Sequence, residues 1–322
     1  MTDLTTDNPD ILALLPRLAA PDAGVRRIAL IQLADLEDPD GLPWLARALG
    51  ADPAAEVRAE AARLLEAWEQ TEVVNALCAA LADSDENVRR AAAQSLSLLK
   101  SAASGRVVLP WSTHADAFVR ASALRALREL RLTDSIPIAL LALGDDDAQV
   151  RREAVGILGW LKQLDALSEL ARLASSDADT EVRRAATGAL GLASDSRVLP
   201  ALQAALRDPE WQVREEAATT LGKVGLADAG PALVEALDDA YWQVRLRAAR
   251  ALGRLRFTGA LAGLIVLLSH DISNLRKEAA LALGELADPG ALPALQAAES
   301  DGDPEVRKAV RIALGQLRSE LR

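Results

Sequence analysis

Groups able to do acid–base, nucleophilic or metal chemistry are scarce in this chain, carboxylates excepted. Its 322 residues include two histidines, His114 and His270, and one cysteine, Cys78. Two imidazoles could share a metal ion or relay a proton, and a thiol could act as a nucleophile, provided the fold brings partners within reach. The surroundings argue otherwise. Each histidine stands six residues before an arginine, Arg120 or Arg276, and at that offset seven other segments carry Asp52, Asp83, Asp145, Asp177, Asp208, Asp239 and Asp301. The histidines therefore replace a turn-forming or capping residue. Cys78 lies in NALCAALAD, on the apolar face of a helix, where a small core residue is expected. Asp and Glu crowd every turn, so no acid–base pair stands out. Neither G-x-G-x-x-G nor G-x-x-x-x-G-K-[ST] occurs. No catalytic, metal or cofactor site is expected.

The arginines do have a pattern. Arg26, Arg58, Arg89, Arg120, Arg151, Arg183, Arg214, Arg245, Arg276 and Arg307 follow one another at 31 or 32 residues, each after Val except for Leu275 before Arg276. Three residues on comes Ala, from Ala29 to Ala279, with Val310 in the last copy; seven on comes Leu in all ten, from Leu33 to Leu314. On a helical wheel Val, Ala and Leu share a sector about 80° wide, the apolar stripe of an amphipathic helix. A position ten after the arginine (Leu36, Leu130, Leu161, Leu255, Leu286, Leu317) falls in the same sector.

Asp147, Asp179 and Asp303 precede such helices as N-caps. Upstream lies a second apolar segment, as in LPALQAAL (199–206) and LPALQAA (292–298), with Pro200, Pro231 and Pro293 at helix starts. Each unit thus reads as helix A, an acidic turn, helix B and a linker. No such hairpin buries its own apolar face, but ten stacked ones can. The expected fold is all-α: a right-handed α/α superhelix (α-solenoid) of about ten two-helix repeats over residues 10–318, ending near 38, 70, 100, 131, 162, 194, 225, 256, 287 and 318. A flexible acidic tail, 1–9, and a short C-terminal tail, 319–322, flank it.

Two features break or refine the pattern. Gly follows the core Leu in the last six copies (Gly159, Gly191, Gly222, Gly253, Gly284, Gly315). A mid-helix glycine costs roughly 0.5–1 kcal/mol relative to Ala, so its recurrence implies a use, and close helix approach is the simplest. Pro110 interrupts helix A of copy four, and Pro16 stands at the same place in copy one.

The motif Asp-x-x-x-Val-Arg-x-x-Ala-x-x-x-Leu-Gly, seen at Asp147–Gly159 and Asp179–Gly191 and, but for Val310, at Asp303–Gly315, resembles the HEAT-like repeats of phycobilisome bilin lyases and their relatives. That resemblance implies that Asp and Arg form a structural ladder between neighbouring repeats, to which the ten arginines would belong. Deoxyhypusine hydroxylase is similar in repeat pattern but holds iron through His-Glu pairs. Here His114 precedes Ala115 and His270 precedes Asp271, so those ligands are missing. Five repeats at about 10 Å each also set the two histidines ~50 Å apart. HEAT-like DNA glycosylases need a basic concave face.

The net charge of −11 speaks against such a face, against nucleic acid in general and against anionic membranes. No uncharged apolar run approaches 18 residues, and MTDLTTDNPD lacks a basic stretch and apolar core, so neither a membrane span nor a secretion signal is expected. One cysteine fits a reducing cytoplasm.

What remains unexplained is Trp-Gln-Val-Arg, found twice at Trp211–Arg214 and Trp242–Arg245. Other copies carry small or polar residues in place of the tryptophans. Aromatics make up only 3% of the chain, so Trp211, Trp242 and Tyr241 form a candidate anchor patch. On the wheel Gln212 and Gln243 point away from the apolar sector. Gly156 and Gly188, five after their arginines, would leave a shallow notch near Trp160, flanked by Arg250 and Arg125. The expected function is a non-catalytic scaffold or adaptor, monomeric or heterodimeric, that binds another protein along the concave helix-B face. A bilin-lyase-like or other cofactor or assembly-factor subunit is the alternative.

Overall fold

The computed structural model describes residues 4–192 and 196–320. The expected ends of the chain at 1–3 and 321–322, and the linker residues 193–195, lie outside them. Among the described residues there are twenty α-helices joined by short 3-10 turns, with no strands. No helix among them is long and apolar enough to cross a membrane.

The chain divides into two compact units, Met1–Leu161 and Lys162–Arg322. The first holds five helix pairs: α1 (Pro9–Leu18) with α2 (Ala23–Asp35), α3 (Leu42–Ala51) with α4 (Ala55–Leu64), α5 (Thr71–Ala80) with α6 (Glu86–Leu96), α7 (Ala102–Val108) with α8 (Ala117–Leu130), and α9 (Ile136–Ala142) with α10 (Ala148–Trp160). The second holds α11 (Leu167–Ser176) with α12 (Thr180–Leu190), α13 (Leu199–Ala205) with α14 (Trp211–Val224), α15 (Gly230–Glu235) with α16 (Trp242–Arg254), α17 (Leu261–Leu267) with α18 (Ser273–Leu286), and α19 (Leu292–Ala297) with α20 (Pro304–Glu320). Odd-numbered helices are helix A and even-numbered ones helix B. Within each unit every helix B packs on the next helix B. Each unit is thus a stack of helical hairpins.

The repeated Val, Ala and Leu build the core. From Val57 onward the Val position is fully buried, as are the Ala and Leu positions throughout. Val25, in the first pair, is only half-buried. The position ten after the arginine behaves less uniformly than the wheel implies. Leu286 and Leu317 are buried, Leu130, Leu161 and Leu255 are half-buried, and Leu36 is exposed. Those residues sit where helix B ends, and Glu37, Arg131, Lys162, Arg256 and Ala287 turn into the left-handed region just beyond. Gly225 occupies the same place with φ of 75°, the conformation glycine adopts without steric penalty.

Helix starts follow the local chemistry. Asp22, Asp85, Asp116, Asp147 and Asp179 accept first-turn N–H groups of α2, α6, α8, α10 and α12. Asn8 caps α1 and donates to Asp38 Oδ2 at 2.6 Å, so Asn8 and Pro9 belong to the first helix rather than to a tail. Pro16 lies inside α1 without ending it. Pro110 acts more strongly. Helix α7 stops at Val108, and a 3-10 turn over Leu109–Thr113 continues the chain. At the other end of α7, Glu69 takes the N–H groups of Lys100 and Ser101 at 2.9 Å and the Ser104 hydroxyl at 2.7 Å.

Candidate interaction surface

Most of the repeated arginines share one arrangement. In six of them Nε and Nη2 fork onto both oxygens of an aspartate in the next repeat: Arg26 on Asp52, Arg58 on Asp83, Arg120 on Asp145, Arg183 on Asp208, Arg214 on Asp239 and Arg276 on Asp301, with closest approaches of 2.6–2.8 Å. The third nitrogen, Nη1, donates to two carbonyls of the arginine's own A–B turn, as from Arg120 to His114 and Ala115, both at 2.8 Å. Arg151 and Arg307 make the same turn contacts. Each aspartate in turn accepts the backbone N–H two residues on, as Asp239 does from Tyr241 at 2.8 Å. One bidentate, charge-assisted pair thereby ties helix ends within a repeat and turns between repeats.

The two histidines show what the aspartate was for. His114 Nδ1 accepts the Asp116 N–H, and His270 Nδ1 the Ile272 N–H, each at 3.0 Å. They keep the turn but cannot offer a carboxylate to the preceding arginine. Arg89 shifts to Asp116 at 2.9 Å and lies over the Phe118 ring at 4.5 Å, while Arg245 Nε turns back to the Asp239 carbonyl. Trp111 stacks on His114.

Acid should loosen this ladder. The Arg58 fork holds the Asp83 carboxyl below the usual carboxylate range against the burial that pushes it up, and the Arg276 fork does the same for Asp301. At Asp52, Asp145 and Asp239 burial is the largest influence, and the arginine and backbone donors together outweigh it. Folded-state values below the unfolded value near 3.8 mean that the unfolded chain takes up protons first. The stabilisation is present above that value and is lost as pH falls through the folded values. Glu285, pushed up by burial, works in the opposite sense, but it is one group against five. The thermal midpoint should therefore fall steadily below about pH 5, which circular dichroism melts at fixed ionic strength will show. Cys78 takes no part: burial pushes its thiol up to about 12, so it stays protonated at neutral pH.

The residues singled out from the sequence fare unequally. Gly156 and Trp160 lie in the first unit, and Gly188, Trp211, Gln212, Tyr241, Trp242, Gln243 and Arg250 in the second. There is no notch at the two glycines. A Cβ at Gly156 would lie 2.7 Å from Arg128 Cδ, and one at Gly188 would lie 2.9 Å from Glu216 Oε1, because long side chains of neighbouring helices B already fill that space. Arg250 is no free cation either. It forks onto the nearly buried Glu278 at 2.7 and 2.6 Å. Arg125 and Arg128 converge likewise on the fully buried Glu153, at 3.1 and 2.7 Å. This second set of pairs escaped the sequence reading. Its signal was present, since Arg125–Glu153 and Arg250–Glu278 share a spacing of 28 residues. Trp160 is exposed, with the Arg131 guanidinium 4.5 Å over its ring.

Trp211 and Tyr241 come together. Their rings stack at 5.5 Å and 13° across successive A–B turns, with the Arg214 guanidinium 5.6 Å from the Tyr241 centroid. Tyr241 remains 45% exposed, and Trp242 beside it is half-buried. The glutamines do not point outward as the wheel implies. The Oε1 atoms of Gln212 and Gln243 are buried and have no hydrogen-bond partner. Helices α14 and α16, where these residues lie, begin at Glu210 and Tyr241 without a side-chain cap.

A family model for HEAT repeats matches residues 11–97, 48–111, 106–191, 170–243 and 231–315. The chain belongs to the HEAT-repeat family. Several solved structures share the fold. An engineered protein is 21% identical, with 97% of this chain aligned to 99% of that one at a TM-score of 0.56. The Escherichia coli protein YibA is 21% identical over 93% of this chain and 97% of its own, at 0.54. Kap95p, solved with RanGDP, is 15% identical and aligns over 95% of this HEAT chain, which spans 49% of Kap95p, at 0.67. At these identities the likeness is one of fold. A search of curated proteins finds no significant match. Among the described residues no group of three or more His, Cys, Asp or Glu is placed to hold a metal ion.

Proposed function

We propose that this HEAT-repeat chain is a non-catalytic scaffold or adaptor that binds another protein, with Trp211, Tyr241 and Trp242 as its anchor. The stacked, half-exposed Trp211–Tyr241 pair carries the reading. Large aromatic faces held rigid by a neighbour lose little entropy on binding and dominate interface energetics. The starts of α14 and α16, which lack a side-chain cap, lie beside them. Proteins of this fold bind proteins, as Kap95p binds RanGDP. The sequence period continues across the boundary between the two units, with 32 residues from Arg151 to Arg183. A monomer or heterodimer in a reducing cytoplasm fits the single cysteine.

The test is affinity capture from the native host, with cross-linking to place the partner. The double substitution Trp211→Ala and Tyr241→Ala should reduce capture about tenfold or more, with helicity unchanged. Equal capture removes the patch from the mechanism. A narrower reading, an assembly factor of the bilin-lyase type, rests on the motif resemblance alone. A bilin absorbance change on mixing with the purified chain would favour it.

A further inference from the structure

A cavity of about 520 Å³ opens in the first unit between α1 and α3, beside the Arg26–Asp52 rung of the ladder. Leu15 and Leu18 of α1 form one wall, Trp44 and Ala48 of α3 the other, and Leu30 and Val57 the floor. Leu15 and Leu18 are three apart and Trp44 and Ala48 four apart, so each helix turns a single apolar face to the opening. Leu30 and Val57 are fully buried, whereas Leu15, Leu18 and Trp44 are only half-covered. The size lies within the range of small-molecule sites, and the lining joins apolar side chains to a substantial share of polar surface.

Three charged side chains border the cavity: Arg26, Asp52 and Arg47. Two of them are committed to each other. Arg26 gives Nε and Nη2 to Asp52 at 2.7 Å and Nη1 to the Ala20 and Pro21 carbonyls at 2.8 and 3.0 Å. Arg47 is exposed and has no hydrogen-bond or ion-pair partner among the described residues. With Arg26 and Asp52 paired to each other, Arg47 is the uncommitted cation among the charged side chains that line the hollow. A guanidinium so placed can receive a carboxylate through two parallel hydrogen bonds. The Asp52 carboxylate in the same wall disfavours a dianion such as phosphate.

We infer that this cavity binds a small amphipathic monocarboxylate, its apolar chain against Leu15, Leu18 and Trp44 and its carboxylate on Arg47. The inference does not depend on the protein-binding reading. Sodium decanoate is titrated into the full chain and followed by calorimetry. One saturable site per chain is expected, with decyltrimethylammonium, equal in chain length and opposite in charge, binding at least about tenfold more weakly. Arg47→Gln, a change at an exposed residue, should weaken decanoate by about tenfold or more, while Arg27→Gln, outside the cavity, should leave it unchanged. Ala48→Trp fills the hollow and should abolish binding; should that variant fail to fold, Arg47→Gln still decides. No saturable binding to the parent chain, equal affinity for the cation, or undiminished affinity in Arg47→Gln would overturn the inference.

Discussion

Gly253→Val is expected to destabilise the second unit by about 3 kcal/mol. A Cβ at Gly253 would stand 2.8 Å from Ala282 Cα and 3.1 Å from Ala282 Cβ. The obstacle is backbone of α18, so no rotamer change relieves it. Helices α16 and α18 would have to part, and with them the buried Val244, Leu252 and Leu283. The same contact recurs down the stack. Gly222 would meet Ala251 Cα at 3.1 Å, and Gly284 would meet Ala313 Cα at 2.7 Å. Gly315 supplies the control, because a Cβ there meets nothing within 4 Å. Gly315→Ala should therefore stabilise α20 by about 0.5–1 kcal/mol, the ordinary helix preference of alanine over glycine. Urea unfolding followed by circular dichroism will show the two signs. Should Gly253→Val unfold at the parent's midpoint, close backbone approach is not why glycine recurs.

Asp208→Asn comes second, with an expected loss of about 3 kcal/mol. The Arg183 and Asp208 side chains are only 12% and 6% exposed, so removing the carboxylate's charge strands a cation that water barely reaches. Its two contacts, 2.7 and 3.1 Å, would be replaced by one neutral acceptor. Because much of the penalty is the stranded charge rather than the worth of the pair, Arg183→Met combined with Asp208→Leu should recover a large part of the loss. The surface pair Arg106–Asp134, 62% and 43% exposed, provides the contrast: Asp134→Asn should change stability by less than about 0.5 kcal/mol. Thermal and urea unfolding of the three variants distinguish a structural ladder from surface decoration. Equal effects at Asp208 and Asp134 would remove the ladder from the account of stability.

Much of the fold is legible because the signals for it are short-range. Val, Ala and Leu at fixed offsets from each arginine lie on one helix face, and burial of that face follows wherever the helix meets a neighbour. The replacement of Asp by His114 and His270 at a turn is equally local, since a side-chain acceptor two residues before an N–H closes the same ring whether it is carboxylate or imidazole. Pro110 ends α7 for a reason contained in its own ring.

The candidate site was read less well. A helical wheel assigns an azimuth to one helix and says nothing of the next one. It turned Gln212 and Gln243 outward, whereas their side-chain carbonyl oxygens are buried. It left space at Gly156 and Gly188 that Arg128 and Glu216 occupy from adjacent helices, and it offered Arg250 to a partner although Glu278 already holds it.

By itself the sequence determined that this is an array of helical hairpins with an arginine at each joint, because helix periodicity and turn chemistry act within a few residues of chain. Only the tertiary structure decided which charges are spent and which remain. That depends on the register between helices some 30 residues apart, where a shift of one turn, about 5.4 Å, exchanges every cross-repeat partner. Arg47, unpaired at its cavity, and Tyr241, stacked yet half-open, are products of that register.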